Sequence, residues 1–116
     1  IASCLVGSEM CIRDRSYVGA YSATKAALIQ VTKSQSIELA RYNICVNALA
    51  PGYILTDINR DQLEGETGDL LKKKIPLKRF ATVDELDTII SMLLNTSNTY
   101  MTGAVVAVDG GLSTGL

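Results

Sequence analysis

The sequence has no histidine and no tryptophan, and only one phenylalanine, two prolines and three cysteines among 116 residues. Each scarcity closes a route. Without histidine there is no Ser-His or Cys-His nucleophile, and most zinc sites lose a usual ligand. Cys4, Cys11 and Cys45 have no metal-ligand spacing, so no metal site is expected. Their odd number argues against a disulfide framework, and a reducing, cytoplasmic setting is expected. Neither sign of charge dominates: eleven basic and twelve acidic residues leave a net charge of −1. That balance offers no footprint for nucleic acid or an anionic membrane. Lys72–Lys74 is the one basic run and reads as a solvated helix face. No apolar run is long enough to span a bilayer. No signal peptide is visible, at a start abrupt enough that one could precede it.

What is present suffices for a core. The chain is 47% hydrophobic and 20% charged, enough for one small domain. Ala20 to Arg41 lacks Pro and Gly and is rich in helix formers, which predicts one long helix. It carries Leu28, Val31 and Leu39 on one side and Ala23, Ala27 and Ile37 on another, so cover on two sides is expected. Ile44 to Ala50 is a short apolar run closed by Pro51-Gly52, the pattern of a buried strand. Asp57 to Ile75 is polar and broken by Gly65 and Gly68, which predicts one or two short helices on a mobile loop. Thr82 and Glu85 have capping-box spacing, and Leu86, Ile89, Ile90, Leu93 and Leu94 follow as an amphipathic stripe. Ala104 to Gly111 reads as a second buried strand ended by a glycine pair. Continuously apolar strands alternating with helices indicate an α/β fold with a parallel sheet. Two or three strands are few for such a sheet, so residues 1–116 read as part of a domain.

Chemistry is most plausible at Tyr21 and Lys25, one helical turn apart on a shared face. An ammonium beside a phenol favours the phenolate, lowering a pKa that starts near about 10. Such a tyrosine can exchange a proton with an alcohol or alkoxide. On spacing alone, a surface tyrosine beside a solvated lysine is the alternative.

Context adds to the spacing. "AYSATKAAL" is followed in order by "NICVNALAPGYILTD", "IPLKRFATVDEL" and "YMTGAVVAVDGGLS". From Ser16 onward, these four stretches resemble the C-terminal half of the short-chain dehydrogenase/reductase family, the closest likeness being to 3-oxoacyl-carrier-protein reductases and sugar dehydrogenases. The resemblance implies the C-terminal part of a doubly wound, Rossmann-like parallel-sheet domain. It implies an NAD(P)-dependent oxidoreductase that interconverts a carbonyl and an alcohol by hydride transfer. Tyr21 would be the acid/base, and Lys25 would tune it and bind the nicotinamide ribose. Pro51 and Gly52 would shape the turn over the nicotinamide, with the Ile54 backbone and the Thr56 hydroxyl meeting NAD or NADP. Residues 57–75 would be the substrate lid. Asp109 reads as a turn former. A small-molecule substrate and a homodimeric or homotetrameric parent are implied. A catalytically silent relative serving as a binding or scaffold subunit is the second reading. The family's glycine-rich phosphate turn and first strands have no counterpart here, so the N-terminal cofactor-binding half reads as missing and the 116-residue chain as inactive alone. Cys45 stands where the family usually has Arg and reads as a small hydrophobe.

The family also uses a serine upstream of the tyrosine to hold the substrate oxygen. Ser3, in the family-like string "IAS", lies eighteen residues before Tyr21; Ser8 lies at the usual thirteen, in unlike surroundings. The excess length has a DNA-level explanation. Leu5 to Asp14 resembles the one-frame translation of CTC GTG GGC TCG GAG ATG TGT ATA AGA GAC, a transposon-end sequencing adapter, and flanking bases permit Cys4 and Arg15. Residues 4–15 therefore read as a non-native segment, excluded from fold reasoning. That favours Ser3 over Ser8 as the family serine; the rival is a natural insertion in which Ser8 is catalytic. Resequencing the source locus from a transposon-free library is expected to return different codons there; return of the same codons contradicts the reading.

Overall fold

A computed structural model describes residues 2–6 and 19–114. Strand β1 (Ala2–Val6) leads to helix α1 (Gly19–Leu39), a 3₁₀ turn at Ala40–Tyr42, and strand β2 (Cys45–Pro51). Three helices follow, α2 (Arg60–Leu63), α3 (Glu66–Lys74) and α4 (Asp84–Leu94), before strand β3 (Val105–Val108). The strands form one parallel sheet in the order β1-β2-β3. Among the described residues, no helix is long and apolar enough to cross a membrane.

β2 is the centre. Val46 to Ala50 are all buried, so both faces of the strand are covered, as its uninterrupted apolar run predicts. Burying a side chain such as Leu49 contributes about 1.5–3 kcal/mol relative to exposure. The exception in polarity is Asn47, 1% exposed. Its Nδ2 donates to the Met101 carbonyl at 2.8 Å, and its Oδ1 accepts the Ala104 N–H at 3.1 Å. The Thr102 hydroxyl accepts the Val46 N–H at 3.0 Å. Together these bonds fasten the segment before β3 to the central strand. Gly103 belongs to that fastening: its φ is +72°, and a Cβ there would meet Ser36 Oγ at 2.8 Å.

α1 differs from its expected faces. Leu28 and Leu39 are half-buried, but Ala23, Ala27 and Val31 are exposed and Ile37 is 79% exposed. The buried positions are Ser22, Thr32 and Ser36. Small hydroxyl residues let the helix sit close to the sheet. Their polarity is satisfied locally where the bonds are seen: the Thr32 and Ser36 hydroxyls donate to the Leu28 and Lys33 carbonyls at 2.9 and 2.7 Å. The helix gives way to the 3₁₀ turn, and Asn43 closes that turn in the left-handed region (φ 57°).

The polar stretch 57–75 forms the two short helices α2 and α3. They carry a core of their own, in which Leu63, Ile75 and Phe80 pack with Tyr53, Leu55, Leu71 and Leu112. Tyr53 meets Phe80 edge-on at 5.9 Å between ring centroids. Lys72 caps this cluster over the Phe80 ring and donates to Asp69 at 3.2 Å.

The capping box of α4 is half realised. The Glu85 carboxylate accepts the Thr82 N–H at 2.9 Å, but the Thr82 hydroxyl donates to that same carboxylate at 3.4 Å. Arg79 grips Glu85 with two bonds of 2.8 and 2.7 Å. Arg79, and then the Thr82 N–H, hold the Glu85 carboxyl at about 2 against an ordinary 4.5. A folded-state pKa below the unfolded one stabilises the fold at pH above the unfolded value, and that stability is lost as pH falls through the folded one. An NMR titration of the Glu85 carboxyl carbon is thus expected to centre near 2. Glu85→Gln is expected to flatten the loss of stability between pH 4.5 and 2, measured by acid titration of the circular dichroism signal.

Candidate active site

The connectivity puts the notable side chains at one edge of the sheet. α1 packs on β2, and only a tight turn separates its C-terminus from the start of that strand. The helix therefore runs back along β2. From Leu39 to Tyr21 it spans about 27 Å, against about 20 Å for β2. Its first turns thus reach the C-terminal edge of the sheet, where β2 ends in Pro51 and Gly52. In open parallel sheets this edge is where ligands bind.

Tyr21 and Lys25 meet there as the four-residue spacing predicts. The Lys25 ammonium lies over the Tyr21 ring, 5.4 Å from its centroid. Tyr21 is 44% exposed and Lys25 half-buried. The Tyr21 hydroxyl has no hydrogen bond among the described residues, and Thr24 donates to the Tyr21 carbonyl at 2.7 Å, within the helix. A partly exposed phenol with a cation over its ring is the kind of group that can take part in proton transfer.

The turn from Pro51 to Thr56 is tightly built. The Gly52 N–H donates to the Val108 carbonyl at 2.9 Å, extending the β2–β3 pairing past the strand. A Cβ at Gly52 would lie 2.7 Å from Asp109 Cα, so only glycine allows this approach. Asp109 is the turn former expected of it: its carboxylate accepts the N–H groups of Gly111 and Ser113, each at 2.9 Å. Partial burial pushes that carboxyl up, but the bonds from Ser113 and Gly111 outweigh it and hold it below the usual range. Ile54 forms an isolated parallel bridge with Ala81. In it, Leu55 N–H donates to the Ala81 carbonyl at 2.8 Å, and Ala81 N–H to the Tyr53 carbonyl at 3.0 Å. The Ile54 N–H and carbonyl point the other way. The carbonyl accepts Asn59 Nδ2 at 2.9 Å, and the N–H has no partner among the described residues. No bond of the Thr56 hydroxyl is seen among them either. An unpaired backbone donor, a nearby hydroxyl and a close glycine turn suit a flat polar group such as a carboxamide.

Ser3 is not brought to this edge. It pairs with Val46, five residues before Pro51, or about 17 Å along the strand. In this register Ser3 stands away from the edge that carries Tyr21, Lys25 and the turn after β2. β1 continues through Cys4, Leu5 and Val6, opposite Asn47, Ala48 and Leu49. Ser8 and the rest of residues 7–15 lie outside the described residues. Asn59, absent from the expected site, holds the turn; no hydrophobic pattern marks it.

The sequence and the fold are similar to those of known proteins. Residues 3–113 match the family profile described as Enoyl-(Acyl carrier protein) reductase. The chain is 44% identical over 92 residues to the 3-oxoacyl-[acyl-carrier-protein] reductase FabG of Aquifex aeolicus, covering 79% of this chain and 37% of that protein. It is 40% identical over 94 residues to the D-arabinitol 2-dehydrogenase [ribulose-forming] of Scheffersomyces stipitis, covering 78% and 34%. Among solved structures, a gluconate 5-dehydrogenase from Burkholderia cenocepacia in complex with NADP and tartrate superposes with a TM-score of 0.90 at 33% identity, covering 99% of this chain and 46% of that one. The chain thus spans less than half the length of these relatives.

Gly52→Ala tests the turn. The added methyl meets backbone rather than a flexible side-chain end, so a loss of about 1–3 kcal/mol is expected, read from the denaturant midpoint. An unchanged midpoint contradicts the close approach.

Proposed function

The chain belongs to the short-chain dehydrogenase/reductase family, and on that footing we propose that it is the C-terminal half of a longer NAD(P)-dependent oxidoreductase acting on a carbonyl/alcohol pair. One observation carries this reading: the Lys25 ammonium lies over the Tyr21 ring on the helix that runs back along β2, and β2 ends in a turn whose Ile54 N–H has no partner among the described residues. The fit of that turn to a carboxamide, and the NADP of the gluconate 5-dehydrogenase, support a nicotinamide dinucleotide there. When bound, it supplies or accepts the hydride. The Ile54 N–H would hold the carboxamide, with the Thr56 hydroxyl beside it. Pro51 and Gly52 keep the turn low enough for that contact. Tyr21 would donate a proton to the substrate oxygen in reduction and take one back in oxidation. Lys25 would keep a positive charge against the tyrosine and reach the sugar next to the nicotinamide. Residues 57–75, with their own core, would close over a small-molecule substrate and exclude water.

No serine is assigned the carbonyl-polarising role. Ser3 lies at the wrong end of β1, and Ser8 lies in the segment 4–15, which we take to be non-native. The exposed small face of α1, with Ala23, Ala27 and Val31, would pair with a second copy in a homodimer or homotetramer. The cysteine usage supports the cytoplasm as its setting.

In the parent enzyme, Tyr21→Phe is expected to lower kcat by about 10²–10⁴-fold with dinucleotide affinity retained. The 116-residue chain alone is expected to bind neither NADH nor NADPH in a fluorescence titration. Unchanged turnover in Tyr21→Phe contradicts the assigned role. A parent that binds dinucleotide but turns over no alcohol or ketone supports a silent binding subunit instead.

A further inference from the structure

One side chain holds the turn after β2, and the proposed chemistry does not use it. Asn59 is half-buried, three residues past Thr56. Its Oδ1 accepts the Thr56 N–H at 2.8 Å, and its Nδ2 donates to the Ile54 carbonyl at 2.9 Å. Its main chain is engaged as well. The Asn59 N–H donates to the Thr56 carbonyl at 3.2 Å, and its carbonyl accepts the Leu63 N–H at 3.0 Å, at the start of α2. Both halves of the amide are thus spent on two different peptide groups of one turn.

The geometry has a directional consequence. In an extended segment the N–H and carbonyl of one residue point to the same side. The Ala81 bridge occupies the Tyr53 carbonyl and the Leu55 N–H on the other side. Fixing the Ile54 carbonyl therefore fixes the heading of the Ile54 N–H, which has no partner among the described residues. Taking up the Thr56 N–H fixes the backbone from which the Thr56 hydroxyl projects. A primary amide alone among small side chains both donates and accepts at this span. Aspartate would keep the bond to Thr56 but set a carboxylate oxygen against the Ile54 carbonyl.

We propose that Asn59 is a positioning residue: it aims the Ile54 N–H and the Thr56 hydroxyl at the nicotinamide carboxamide and ties that turn to the first lid helix. This rests on the reading that the turn receives a nicotinamide dinucleotide. It goes further by assigning the affinity of the nicotinamide end to a residue that does not touch it.

The experiment compares the parent enzyme with Asn59→Ala and Asn59→Asp. The probes are NADH, NADPH, and ADP-ribose with its 2′-phosphate analogue, which lack nicotinamide. For both variants, the Kd of the preferred dinucleotide is expected to rise by about tenfold, the scale of one lost hydrogen bond. The Kd of the matching nicotinamide-free probe is expected to stay unchanged. Amide exchange gives a second readout: the Thr56 N–H loses protection in Asn59→Ala and keeps it in Asn59→Asp. Wild-type dinucleotide affinity in either variant overturns the proposal alone. An equal loss for both kinds of probe assigns Asn59 a general structural role and overturns it too. A wild-type parent that binds neither dinucleotide overturns the functional reading, and this proposal with it, whatever the exchange shows.

Discussion

Burial of β2 between two parallel neighbours is the constraint on which the rest depends. Every residue from Val46 to Ala50 is removed from water, so each backbone polar group there must find a partner inside the protein. The ladders to β1 and β3 supply most of them. Asn47 supplies the rest of the order. An unsatisfied buried amide costs roughly 1–3 kcal/mol, so its two bonds, to Met101 and Ala104, compel the segment before β3 to lie where it does. That segment sets the register of β3, and β3 delivers Asp109 against Gly52. The turn that leaves the sheet is thus confined from below by β3 and from the far side by the Ala81 bridge.

Much of this is legible in the sequence. The run Ile44 to Ala50, closed by Pro-Gly, announced the central strand. The stripe Leu86, Ile89, Ile90, Leu93 and Leu94 marks α4, and the broken polar stretch 57–75 marks one or two short helices, of which the fold has two. Tyr21 and Lys25 were legible because four residues make one helical turn, and that geometry is local. What could not be read was non-local. α1 buries Ser22, Thr32 and Ser36 while Leu28 and Leu39 are only half-buried, and hydropathy does not register that. The register of β1 depends on a strand more than forty residues away, which is why Ser3 looked suitable and falls short of the edge. Asn47 and Asn59 looked like ordinary polar residues. Their roles exist only once carbonyls elsewhere in the fold are in place.

The proposed site joins two differently built parts of the fold. Tyr21 and Lys25 ride on a long helix packed on the central strand. Ile54 and Thr56 ride on a turn continuous with α2 and α3, whose small core of Leu63, Ile75 and Phe80 packs with Tyr53 and Leu55 of the turn and with Leu112 beyond β3. Asn59 sits at the join, bonded to the turn by its side chain and to α2 by its carbonyl.

The central claim is that Tyr21 and the turn bearing Ile54 and Thr56 serve one bound nicotinamide. An NMR titration of the parent enzyme with its preferred dinucleotide tests this most directly. The Tyr21 ring signals and the Ile54 and Thr56 amides are expected to shift together, saturating with one Kd. Shifts confined to other regions, or a Tyr21 response that saturates separately from the turn, would contradict the account.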